Sequence, residues 1–212
     1  MSQSEADSER MRQALARFDE ANREDPRRVR VDGLELPQEL VYGRRMSDCL
    51  SSFSPDASEP LRLAVRAQHL CRWRLAREEY APGRAGYLEW RRDCGRMHAD
   101  LAAETLALVG YEPSVVERVG SLIRKEGLGS DEEAQSLEDV ACLVFLESYS
   151  EAFVAEHDQA MCRRVFRKTW RKMSPAARRV AAQVELAPAV ESLLQELVAA
   201  LPASTVAQEV SK

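Results

Sequence analysis

SLEDVACLVFLE, residues 136–147, decides the class of fold. From Val140 to Leu146 every position is apolar, which leaves no solvated face, and Glu138 and Asp139 stand just before that run. A helix that is apolar all round belongs in the centre of a bundle. Ser130 and Glu133 form a capping-box pattern ahead of it, and the apolar pattern predicts a helix from Leu137 to Phe153.

Helical spacing continues in both directions. Toward the N-terminus, Arg84 to Val109 holds it for about seven turns and stops at Gly110, a residue suited to a left-handed cap. Pro113 opens a further helix expected to end at Gly127. Ser8 is read as the cap of a first helix through Arg23, striped by Met11, Leu15 and Phe18. A loop from Asp25 to Pro37, punctuated by Pro26 and Gly33, precedes a second helix that carries Leu40, Val41, Met46, Leu50 and Phe53. Ser58 caps a third, running through Leu61, Ala64 and Val65 toward His69, Arg72 and Trp73, with an irregular piece at Ala76 to Gly83. Beyond the central helix, a basic helix spans Asp158 to Lys172, Ser174-Pro175 caps the next, and Leu193 to Leu201 closes the chain before a polar tail. The expectation is an all-α, single-domain helical bundle over residues 1–186, with a C-terminal helix and polar tail at 187–212.

Composition agrees. The 212 residues are 45% hydrophobic, enough to bury a core, and only 6% are aromatic, with nine Gly and nine Pro; this is a helix-former's inventory that excludes all-β folds. The five cysteines are odd in number and widely spaced, which argues against a disulfide framework or a zinc module and for reduced thiols. Residues 1–12 are polar and acidic, unlike a secretory leader, and no apolar run reaches the roughly 20 residues of a membrane span, so the expected setting is cytoplasmic, with no membrane. A net charge of -5 argues against a general nucleic-acid coat.

Three groups of residues could carry chemistry. Glu138 and Asp139 are adjacent carboxylates at the start of a buried helix, where charge must be paired, bound to metal or solvated by the helix N-terminus. Arg84, Tyr87, Arg91, Cys94 and His98 recur every three or four residues on the long helix, and Arg66, His69, Arg72 and Trp73 share a face of an earlier one. If those faces met, imidazoles, guanidinium forks and aromatic rings would line a pocket for an anion; the alternative is core aromatics beside solvated arginines. The basic helix carries Arg163, Arg164, Arg167, Lys168, Arg171 and Lys172, read first as a solvated face and second as a contact for RNA phosphates. Phosphate loops, dinucleotide-binding glycine motifs, HExxH and nucleophile elbows are all missing from the sequence.

The strings FDEANREDP, ELVYGRRM, RAQHLCRW, GYLEWR, LEDVACLVFLE and KTWRKMS together resemble the family described as domain of unknown function 4202, over about Phe18 to Ser174. More faintly, the helix order through HADLAAETLALVG, VGSLIRKEGL and SLEDVACL resembles the HD-type metal phosphohydrolases, all-helical enzymes that hold metal with a histidine, a His-Asp dyad and a later aspartate. His69 would take the place of the first histidine and Asp139 that of the last acid. Where the dyad belongs, this chain has Leu88-Glu89-Trp90-Arg91 or His98-Ala99-Asp100, and its literal His157-Asp158 follows Asp139.

That resemblance implies an HD-domain-like phosphohydrolase acting on a nucleotide or other small phosphorylated compound. His69, His98 and Asp139 would hold a divalent metal of undetermined identity, and Glu138 would take a proton from its water. Arg72, Trp73, Arg84, Tyr87 and Arg91 would bind the substrate. The alternative is a metal-free module that binds an anionic ligand or a protein partner for regulation. Catalysis itself stays open between these two.

Overall fold

The structure, a computed structural model, describes residues 3–199. It is all-α apart from one short hairpin. The elements are α1 (Gln3–Arg23), β1 (Arg28–Val31), β2 (Leu34–Pro37), α2 (Gln38–Phe53), α3 (Glu59–Ala67), α4 (Gly83–Val109), α5 (Pro113–Ile123), α6 (Glu132–Ser148), α7 (Ser150–Glu156), α8 (Gln159–Lys172), α9 (Pro175–Ala181) and α10 (Pro188–Ala199). Residues 200–212, which include Leu201 and the polar tail, lie outside the described part. The chain forms two compact units, Met1–Leu137 and Glu138–Lys212, with the boundary inside α6.

Local chemistry explains several of the helix ends. Ser58 Oγ accepts the Leu61 amide, Asp158 the Met161 amide and Ser174 the Ala177 amide, each satisfying one of the amides that a helix leaves unbonded at its start. Gly110 closes α4 at φ 86°. Elsewhere the expectations need correcting. Helix α1 already includes Ser8, so that serine caps nothing. Asp131, not Ser130, caps α6: its Oδ1 accepts the amides of Glu133 and Ala134 at 2.9 and 3.2 Å, and the Arg118 guanidinium fixes both carboxylates of the pair Asp131 and Glu133. The long apolar helix is interrupted at Tyr149 (φ -130°, ψ -12°) and resumes as α7. Helix α5 ends at Ile123, short of Gly127, because Lys125 turns left-handed at φ 57°.

The expected loop at Asp25 to Pro37 is a hairpin with Val31 opposite Leu34. Asp32 and Gly33 adopt φ 49° and 81°, the two left-handed positions of a tight primed turn, for which Asp-Gly is well suited. The hairpin carries Arg27 back to the start of α2, where Gln38 N donates to the Arg27 carbonyl at 3.0 Å.

In the first unit α4 packs on α5, α5 on α3, and α1 against α2, α3 and α4. Phe18, Met46, Leu63, Leu70, Leu106 and Leu122 are fully or almost fully removed from solvent there. In the second unit Val140, Leu143, Val144 and Leu146 are buried, as the apolar run of α6 demands. Phe145 meets Phe153 and Phe166 edge-on at 5.8 and 5.6 Å, and α10 packs on α7 and α8. All five cysteines are free thiols. No helix among the described residues is long and apolar enough to cross a membrane.

Candidate functional site

The first unit buries an unusual amount of ionisable chemistry near the start of α2. Asn22 and Asp25 at the end of α1, and Glu39 in the first turn of α2, are 3, 0 and 2% exposed. Buried charge is tolerated when it is paired and hydrogen-bonded, and here both carboxylates are. Asp25 accepts the Arg27 amide and Nε on Oδ1, at 3.0 and 3.1 Å, and Arg27 Nη2 and the Glu39 amide on Oδ2, at 3.2 and 3.0 Å. Glu39 Oε1 accepts Arg27 Nη2 at 2.8 Å, and Oε2 lies 3.1 Å from His69 Nδ1.

His69 and Arg72 reach this network by a break in helical geometry. The face predicted from Arg66 to Trp73 assumes one continuous helix, but α3 ends at Ala67. Cys71 then takes a left-handed conformation (φ 55°), pinned where its amide donates to Asn22 Oδ1 at 2.9 Å, while Asn22 Nδ2 donates to the Glu39 carbonyl at 3.3 Å. A short 3-10 turn, Arg72–Arg74, follows and swings Arg72 back onto His69.

The protonation of His69 follows from its partners. Arginine can only donate, and Arg72 Nη1 lies nearer His69 Nε2 (2.5 Å) than Nδ1 (3.1 Å), so Nε2 is assigned as the acceptor and the proton to Nδ1, facing the Glu39 carboxylate. The ring stacks on Tyr42 at 4.0 Å and an 11° interplanar angle. Burial, then Arg72, Lys125, Arg91 and Arg27, hold the imidazole well below its ordinary pKa. Glu39 is displaced upward by burial, against the pull of Arg72 and Arg27.

His98 stands 6.0 Å from His69, ring centre to ring centre, and is 3% exposed. Its Nδ1 donates to the Leu70 carbonyl at 2.7 Å, which leaves the lone pair on Nε2. Burial, reinforced by His69, lowers its pKa to about 3. Such a base binds its proton more readily in the unfolded chain, so its contribution to stability is complete above pH ~6.5 and is lost as pH falls toward 3. His98→Asn, which can still donate to Leu70, should flatten the stability profile of the protein in that window by at most about 1.4 kcal/mol per pH unit. Urea unfolding at stepped pH checks this; an unchanged slope would show that His98 is not the group responsible.

Arg72 Cζ lies over the Trp90 ring, 4.9 Å from its centre, and Trp90 Nε1 donates to the Leu75 carbonyl at 3.0 Å. Among the described residues no carboxylate forms an ion pair with Arg72 or with the half-buried Arg91. The wall around His69 is thus cationic, built of positioned groups and only partly neutralised by Glu39.

Of the residues expected from sequence, the first unit gathers His69, Arg72 and His98, with Arg91 acting on His69 through its charge. Trp73 is half-buried in the 3-10 turn, while Trp90 is the ring that meets Arg72. Arg84 and Tyr87 are exposed; Tyr87 contacts Trp90 at 5.9 Å. Glu138 and Asp139 belong to the second unit, each 2% exposed and each engaged there: Glu138 pairs with Lys172, and Asp139 Oδ1 accepts the Ser174 amide at 2.7 Å. Asn22, Asp25, Arg27, Glu39, Trp90 and Lys125 were not foreseen. A signal existed, because Asn22, Asp25, Glu39 and Trp90 all fall within the strings FDEANREDP, ELVYGRRM and GYLEWR.

A metal finds a poor donor set as these groups stand. Both nitrogens of His69 are taken, and among the described residues no three His, Cys, Asp or Glu are gathered in a way that could hold a metal ion. In comparisons with known proteins, a family model described as Domain of unknown function (DUF4202) matches residues 12–194. Neither a curated protein nor a solved structure matches.

Proposed function

The chain belongs to the DUF4202 family, and we propose that it binds a small phosphorylated or otherwise anionic ligand at the cationic wall around His69, without a metal. One observation carries this reading: Arg72 is positioned by Trp90 and His69 and, though Glu39 feels its charge, no carboxylate among the described residues pairs with it, so its remaining N–H groups can serve a ligand. Arg91 adds positive field at the same place. The two neutral imidazoles add hydrogen-bonding capacity without a competing cation, and planar guanidinium forks match phosphate geometry.

Ligands that bind only the folded state raise its apparent stability. A thermal-shift screen of inorganic phosphate, pyrophosphate, nucleotides and sugar phosphates in the presence of a chelator should therefore return at least one saturable rise. A flat response from every phosphate compound, with the chelator or without, counts against the site.

Hydrolysis of a phosphate ester is the second reading, favoured by the Glu39–His69 pair. Burial raises the carboxyl while burial and four neighbouring cations lower the imidazole, and such opposed displacements mark acid–base partners. In this reading released phosphate accumulates with one of the screened esters, and Glu39→Gln slows it more than it weakens binding. In the HD-like version the imidazole of His69 must leave Arg72 to take a divalent metal; turnover that appears on adding metal and is lost in His98→Ala would favour it.

A further inference from the structure

From Gln159 to Val184 the chain has eight basic residues and no acidic one, within a protein whose net charge is -5. Most of that charge is on α8. Arg163, Arg164, Arg167, Lys168 and Arg171 are exposed, and with the half-buried Lys172 they line a surface groove of about 540 Å³. Their spacing forms two parallel rows, 163, 167, 171 and 164, 168, 172, along one side of the helix, each spanning about 12 Å at 1.5 Å per residue. Glu196 reaches Arg163 in an exposed pair at 3.0 Å, the type of pair worth little, and Glu138 is used by Lys172 at the end of the row.

We infer that this face of α8 binds the phosphodiester backbone of a nucleic acid and does not read its sequence. A nucleic-acid strand carries one negative charge about every 3.4 Å, dense enough to answer both rows along their length, whereas a peptide would need an unbroken run of acids. Four of the six cations are arginines, whose forks suit phosphate oxygens. Bases have nothing to stack on: Phe166 is fully buried, and Trp170, half-buried, lies beneath the Arg178 guanidinium at 5.6 Å. An anionic membrane is the poorer match because the opposite, apolar side of α8, with Cys162 and Phe166, is already committed to packing and has nothing to insert. This inference rests on α8 alone and does not depend on the site around His69.

The test is fluorescence anisotropy of the full chain with labelled RNA of about 20 nucleotides, single-stranded and duplex, across a salt series. Expected is binding in the range of about 10⁻⁴–10⁻⁶ M with little dependence on sequence, and a log–log salt slope of about 2 for a single strand or 2.7 for a duplex if three phosphates are neutralised. The triple variant R163Q/R167Q/R171Q should lose at least about tenfold in affinity and most of that slope, with an unchanged far-UV spectrum, since glutamine sustains exposed helix. Should it unfold, R164Q/K168Q removes the other row and must weaken binding in the same direction. The inference is overturned by no binding tighter than about 10⁻⁴ M, by affinity that survives both variants, or by poly-glutamate or phosphatidylserine vesicles displacing the RNA at lower charge concentration.

Discussion

Asp25→Ala is expected to cost about 3–5 kcal/mol of stability, the loss that follows when one partner of a buried ionic network is removed. The carboxylate is wholly buried and accepts four hydrogen bonds, three from Arg27 and one from the Glu39 amide. Truncation strands the Glu39 amide in the first turn of α2 and releases the guanidinium that also balances Glu39. Asp25→Asn keeps one acceptor oxygen and the side-chain volume, so it should cost less. Denaturant midpoints of the two variants against the parent give the answer, and an Asp25→Ala loss under about 1 kcal/mol would mean that the network does not frame this end of the first unit.

Arg72→Ala should weaken binding of the best phosphate ligand by about 10- to 100-fold, the effect of removing a charge-assisted hydrogen bond worth about 1.5–3 kcal/mol. Arg72→Lys is the informative companion. It keeps the charge but loses the guanidinium contact with Trp90 and the fork, so it should recover only part of the affinity. Calorimetric titration of the three proteins, in chelator, separates the cases: full recovery by lysine reduces the residue to a point charge, and unchanged binding in Arg72→Ala removes it from the site. Because Arg72 forms no ion pair among the described residues, its loss should cost far less stability than that of Asp25.

The contrast between these residues shows what the amino-acid sequence could disclose. Caps are local: Ser58, Asp158, Ser174 and Gly110 each act within a few residues of themselves, and each was legible. The apolar run of α6 was legible for a similar reason, since continuous apolarity leaves a helix no option but burial. The cluster was legible in part. His69, Arg72 and His98 stood out by residue type, but placing Arg66, His69, Arg72 and Trp73 on one helical face presumed that α3 continues through Trp73. The left-handed turn at Cys71 is imposed from 49 positions away by Asn22, and no spacing rule contains it. The same long-range packing decides that Trp90, and not Trp73, supports Arg72. Nothing local marks Asp25 and Glu39, because their burial depends on a hairpin that returns Arg27 to them. The Asp32-Gly33 pair announced that hairpin and was read as loop.

Two neutral histidines beside positioned cations also define a direct observation of the site. The chain contains three histidines, and His157, exposed in the second unit, serves as an internal reference. Ring-nitrogen NMR of the full chain, titrated with pyrophosphate in chelator at neutral pH, reads all three at once. The account predicts His69 and His98 as neutral imidazoles protonated on Nδ1, with saturable shifts at both and a flat response at His157. Saturable binding that leaves His69 and His98 unmoved, or no saturation with any phosphate compound, would contradict it.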